Sequence, residues 1–218
     1  MTEMIRAENL SLAGISAAIS FAICGGDMII LLTPKDEVSA SLTNLLIGLE
    51  KPSSGKIFLF GFDTAARSDQ ELRDARRRIG IAYGSGGLVS NLKAWENLTL
   101  PLYYHQHLSH EEIKTRGLSL LGRLGYTGKL MDLPGNLTLS QKKIIGVARA
   151  MLIAPDMILY ESPVSGMDQE EKNNFFKIAE EFHRENPDRS SVFITSDRDV
   201  VRYLPEAVVV NLTKGRIL

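Results

Sequence analysis

The 218 residues suffice for one sizeable core, and 25 Lys plus Arg against 26 Asp plus Glu leave a net charge of -1. That balance gives no long-range basic field, which excludes nucleic acid and direct attraction to anionic lipid as expected partners. Cys24 is the single cysteine and cannot close an internal disulfide, and no charged-then-apolar leader opens the sequence, so a reducing cytosol is the expected compartment.

The most apolar stretch, Leu10 to Leu32, is broken by Ser11, Ser16, Ser20, Gly25, Gly26 and Asp27, too often for a membrane span of ~20 apolar residues. Any tie to a membrane is therefore expected through a partner. Within the stretch, Ile15 to Cys24 and Met28 to Leu32 flank a Gly-Gly-Asp turn and read as a small β layer entering a core strand. A loop from Thr33 to Ser39 follows. Leu42, Leu45, Leu46 and Leu49 then recur at helical spacing until Pro52-Ser53-Ser54-Gly55 forces a turn, and Lys56 to Phe60 reads as an edge strand.

Glu71 to Arg78 reads as a charged helix leading into a strand at Ile79 to Tyr83, which is left through the glycine-rich loop Gly84 to Gly87. Three helical patterns follow, Leu92 to Leu102, Glu111 to Leu124 and Gln141 to Leu152, and predict a helical lobe over about 86–152. Met157 to Tyr160, Ser191 to Thr195 and Ala207 to Val210 are short apolar runs, with a helix from Gln169 to Arg184 after the first. That is the alternation of a parallel sheet, closed by Asn211 to Leu218. The expected fold is a single α/β domain: a parallel core sheet with an N-terminal β layer, over about 1–85 and 153–218, and the inserted lobe.

Three blocks, "LLIGLEKPSSGKIFLFGFD", "VARAMLIAPDMILYESPVSGMD" and "VVVNLTKGRIL", resemble in order and spacing the ATPase cassettes of ABC transporters, over essentially the whole chain. The resemblance implies a P-loop NTPase-like fold, ATP and magnesium as cofactors, a second cassette as dimer partner and a membrane subunit to serve. The wording "ENLTLPL" and "ILYE" is most similar to cassettes of lipid-transport systems with an Mce-type partner.

Against the family's pattern, the chemistry-bearing positions differ. Where the phosphate loop reads like GPNGAGKST, this chain has Thr33, Pro34, Lys35, Asp36, Glu37, Val38, Ser39, Ala40 and Ser41; Ser39 stands for the lysine and Ala40 for the magnesium-binding hydroxyl. Gly84 stands for the family's glutamine. Leu137, Thr138, Leu139, Ser140 and Gln141 replace LSGGQ. Glu161 takes the place of the magnesium-strand aspartate, Ser162 that of the general-base glutamate and Ser196 that of the histidine. Ser165, Gly166, Met167 and Asp168 still resemble the D-loop that meets a second cassette.

Simpler readings stand beside these. Asp36 and Glu37 suit the negative first turn of a helix, and Glu161 suits a solvated or paired acid at a strand end. The histidines His105, His107, His110 and His183 lack a zinc pattern, so no metal site is expected. Arg73 to Arg78, interleaved with Asp74, read as a solvated helix face, and Trp95, Tyr103 and Tyr104 serve either the lobe's packing or a docking groove. The function expected from all of this is a cassette that does not bind ATP tightly or hydrolyse it and acts as a structural or regulatory subunit at the cytoplasmic face of a membrane permease. The alternatives are an active or weak ATPase subunit energising transport and a soluble interaction module.

Overall fold

A computed structural model describes residues 2–105, 109–213 and 216–217; the side chains of Tyr104 and His105, and His107 and Leu218 altogether, lie outside the described residues. The larger sheet has six strands in the order β10-β9-β3-β8-β7-β6, from β3 (Met28–Leu32), β6 (Ile79–Ala82), β7 (Met157–Glu161), β8 (Ser190–Thr195), β9 (Val208–Asn211) and β10 (Arg216–Ile217). Five of these strands run parallel, and β10 pairs with β9 antiparallel. Strands buried on both faces tend to be continuous apolar runs, as MIILL and MILY are; in SSVFIT the buried apolar run is Val192 to Ile194, between Ser190-Ser191 and Thr195.

The smaller sheet is antiparallel, in the order β2-β1-β4-β5, from β1 (Glu3–Leu10), β2 (Ile19–Cys24), β4 (Lys56–Leu59) and β5 (Phe62–Asp63). Two expectations change here. A strand from Glu3 to Leu10 joins the layer, and Lys56–Leu59 is an inner strand between β1 and β5, not an edge. This layer and the main sheet enclose a core of Ile5, Leu10, Ile23, Leu31, Leu42, Leu46 and Ile57 around α1 (Asp36–Leu46).

The sheet's other face packs on α5 (Leu139–Leu152) and α6 (Gln169–Arg184), with α3 (Ala94–His105) and α4 (His110–Arg123) beyond α5. The polar helix α2 (Asp69–Arg76) caps the β5–β6 connection with a Ser68–Glu71 capping box, and α7 (Val200–Tyr203) links β8 to β9. Together these are an α/β P-loop NTPase-like fold with a parallel core sheet, a smaller N-terminal sheet and an inserted helical subdomain. At the centre of its core the Tyr160 ring, fully buried, stacks on Phe193 at 4.6 Å and meets Phe175 edge-on at 5.5 Å. No helix among the described residues is long and apolar enough to cross a membrane.

Candidate nucleotide site

Three neighbouring strands, β3, β8 and β7, end on the same side of the sheet and deliver Thr33, Ser196 and Ser162. In open parallel sheets that rim is where ligands bind. The segment after β3 is shorter than its sequence suggests: α1 begins at Asp36, with Lys35 as its extended N-cap, so a loop running to Ser39 does not form. The Asp36-Glu37 pair begins the helix for an electrostatic reason, since carboxylates in the first turn face its positive end.

The turn of helix from Asp36 to Ser39 decides what the rim presents. Ser39 is fully buried, its hydroxyl 2.7 Å from that of Thr33, which also donates to the Lys35 carbonyl at 3.1 Å. Val38 is buried as well, while Pro34, Lys35, Asp36 and Glu37 are exposed and Ala40 and Ser41 half-buried. Asp36 bends back over the rim, where its Oδ1 accepts from Ser162 Oγ at 2.9 Å and from Ser196 Oγ at 2.7 Å. By family resemblance these serines hold the positions that face a terminal phosphate. A carboxylate oxygen occupies that place, so a triphosphate does not fit segment 33–39 in this conformation.

Ser162 is the hub of the cluster. Its backbone lies in the left-handed region at φ 40, a strained conformation for a non-glycine residue that commonly marks functional sites. Its N–H donates to the Ile194 carbonyl at 2.8 Å, and its own carbonyl accepts from Lys143 Nζ at 2.6 Å. Lys143 is only 2% exposed and reaches the rim from α5. Burial pulls its ammonium down to about 8, opposed by the nearby carboxylates of Asp36 and Glu161. The residue carries no family motif, yet a lysine on the same helix face as Val147, Ala150 and Met151 is a sequence signal of a buried cation.

Glu161, at the end of β7, accepts from the Gly84 N–H at 3.3 Å, and desolvation raises its carboxyl above the usual range more than Gly84 and Lys143 lower it. The sign follows directly. A carboxyl raised in the folded state gives stability that is lost as pH rises through the folded pKa, so ionised Glu161 weighs against the fold at neutral pH. Glu161→Gln is therefore expected to melt higher than wild type at pH 7, with the difference closing toward pH 4. A variant that melts lower at pH 7 would show that the ionised carboxylate is stabilising.

The signature-equivalent and D-loop-equivalent residues meet where α5 and α6 begin. Thr138 caps α5, its hydroxyl accepting from Gln141 N–H and its own N–H donating to Gln141 Oε1. Asp168 caps α6 the same way with Glu171, and Ser140 Oγ donates to that Glu171, tying the signature-equivalent turn to the D-loop-equivalent turn. Leu137 and Met167 are buried, Ser165 and Gly166 exposed, and Leu139, 45% exposed, lies against Gly166.

In the arginine run Arg73, Arg77 and Arg78 are exposed, as a solvated and salt-bridged face requires, while Arg76 is half-buried. Arg76 donates to the Ile47 and Gly48 carbonyls, Arg77 pairs with Asp74, and Arg78 pairs with Asp156 at 2.6 Å and lies over the Phe60 ring. Arg73, Arg76, Arg77 and Arg149 line a groove of about 620 Å³ with Tyr83, Ile79 and Ile81. Trp95 packs half-buried on the lobe's core, and Tyr103 is exposed beside His110. Among the described residues no three His, Cys, Asp or Glu side chains gather as metal ligands.

The profile of the ABC transporter family matches residues 39–165, more than half of the chain. The chain belongs to the ABC transporter family. It is 30% identical over 200 residues to methionine import ATP-binding protein MetN 1 of Rhodococcus jostii, covering 92% of this chain and 58% of that protein. A protein of the same name from Rhodopseudomonas palustris is 31% identical over 92% of this chain and 53% of its own. The chain thus spans about half the length of the curated relatives it matches. A dimeric ATP-binding cassette in a post-hydrolysis state, bound to ADP and Pi, superposes with a TM-score of 0.81 at 22% identity over 96% of this chain and 95% of that one, a likeness of fold.

These findings correct two expectations. The reading of a dismantled pseudo-ATPase, acting only as a structural or regulatory subunit, is overturned by relatives that are ATP-binding import proteins along almost the entire chain. That reading weighed segment 33–41, Gly84, Leu137 to Gln141, Glu161, Ser162 and Ser196, and left out the cation that Lys143 brings to the rim from α5. The Mce-type lipid-transport subfamily finds no support among these methionine-import relatives. ATP and magnesium are this chain's cofactors by family resemblance.

Proposed function

We propose that this chain is the ATP-binding subunit that energises an ABC transporter, an ATPase working as one half of a cassette pair on a membrane subunit. The observation that carries this reading is the 30–31% identity to ATP-binding import proteins over 92% of the chain. The names of those relatives favour an importer with a small amino-acid cargo. The cassette pair would form through the turns at Ser165–Asp168 and Leu137–Gln141, whose exposed Leu139 and Gly166 are free to face a second copy or a related cassette. The whole chain acts as one cassette domain, with the lobe over about 86–152 and the remainder as core, placed at the cytoplasmic face and touching the membrane only through its partner.

The reading is tested on the purified full chain with MgATP. A saturable rise in melting temperature is expected. At one hundred times Kd the stabilisation is about 2.7 kcal/mol, which for a domain of this size is roughly 5–11 °C. Phosphate release above a mock purification should accompany it. A chain that shows neither the rise nor the release overturns the proposal.

A further inference from the structure

We propose that Ser162 Oγ, Ser196 Oγ and Lys143 Nζ form a phosphate-oxygen site, and that the Asp36 carboxylate is its built-in, displaceable occupant. The inference rests on the nucleotide reading above and adds how the site is kept closed.

Two hydroxyls from different strand ends converge on one carboxylate oxygen, Ser162 at 2.9 Å and Ser196 at 2.7 Å, so the rim is already arranged to hold an anionic oxygen. The third group, Lys143, is almost wholly buried. Its ammonium has three donors, and the hydrogen bond it makes among the described residues goes to the Ser162 carbonyl. A buried cation held by a single carbonyl is expensive unless an anion comes close. The charged groups facing it are Asp36 on α1 and Glu161 on β7, and both favour its protonated form. At neutral pH it therefore remains mostly charged.

Asp36 is suited to leave. It sits in the exposed first turn of α1, so rotation of its own side chain carries the carboxylate to water while the helix stays in place. A phosphate group brings more charge and three acceptor oxygens, enough to engage both hydroxyls and the ammonium together. An occupant tethered to the same chain competes at high effective concentration, so the apparent affinity for phosphate falls by the fraction of time the site is free.

The test measures binding of MgATP, inorganic tripolyphosphate and inorganic phosphate to wild type, Asp36→Ala and Lys143→Met by calorimetry, with the melting temperature of each unliganded protein. Asp36→Ala, an exposed change, is expected to bind MgATP and tripolyphosphate about tenfold tighter or more, because the internal competitor and its like charge are gone. Lys143→Met is expected to bind about tenfold weaker or more. Its unliganded melting temperature should fall as well, since the Ser162 carbonyl loses its donor and the carboxylates of Asp36 and Glu161 lose their cation; a lower melting temperature with unchanged affinity would show a merely structural lysine and remove it from the site. Tightening of inorganic phosphate to the same degree as tripolyphosphate supports the site with free phosphate as its ligand, and tightening of the longer chains alone supports it with the nucleotide. If wild type binds MgATP and Asp36→Ala binds no tighter, the plug is refuted while the ATPase reading stands. If neither wild type nor Asp36→Ala binds any of the three, both fall.

Discussion

Gly146→Val is expected to lower the melting temperature by about 6–12 °C, from overpacking worth about 3 kcal/mol. Gly146 lies on the face of α5 that meets the loop leaving β6, and a Cβ there would sit 2.6 Å from the Gly86 carbonyl oxygen. The obstacle is backbone, so no side chain can swing aside. The contact is reciprocal: Gly86 has φ 84, and a Cβ on it would meet the Lys142 carbonyl oxygen at 2.6 Å. The matched control is Gly122→Ala on α4, where nothing lies within 4 Å of the added carbon. That change should gain up to about 1 kcal/mol from helix propensity alone. Thermal melts of both decide the matter, and a Gly146→Val protein that melts like wild type would show that the loop and α5 can move apart.

Phe193→Ala should cost about 3–5 kcal/mol. Phe193 is fully buried in β8, stacked on Tyr160 with 13° between the rings, and touches Phe176 at 6.1 Å between centroids. Its removal leaves a cavity between two sheet strands and α6, where the backbone is pinned by the parallel ladder and cannot close in. Tyr160→Phe supplies the contrast. The Tyr160 hydroxyl is buried with no hydrogen-bond partner among the described residues, so removing it keeps the stack and relieves an unmet polar group. That variant should be at least as stable as wild type in chemical denaturation, and a loss below about 1 kcal/mol for Phe193→Ala would mean that the site collapses freely.

How much of this was legible in the sequence depended on the kind of signal each residue carries. The three central strands were readable because burial on both faces leaves uninterrupted apolar runs such as Met28 to Leu32. The strand Glu3–Leu10 was not, because irregularities in its pairing with β2, between Glu3 and Ile5 and between Ala7 and Leu10, break the alternation of period two that marks a half-buried strand. Lys56–Leu59 read as an edge because its outer neighbour, Phe62–Asp63, is two residues long and has no periodicity to detect. At the site, motif comparison located the rim residues by number, but not the side chains' partners. The hydrogen bonds from Ser162 and Ser196 to Asp36 depend on where α1 begins, a tertiary fact. Lys143 lay outside every motif considered, although its neighbours Ile144, Ile145 and Val147 marked the helix as buried.

The bonds that Asp36 makes to Ser162 and Ser196 join positions 126 and 160 residues apart in the chain. Contacts of such separation form only after the intervening strands have paired, because the entropy of closing so long a loop must be met first. The clasp therefore belongs to the downhill side of folding, and loosening it speeds unfolding while leaving the folding rate nearly unchanged. A ligand that took the place of Asp36 would thus act on how long the chain stays folded, and would have little say in how quickly it gets there.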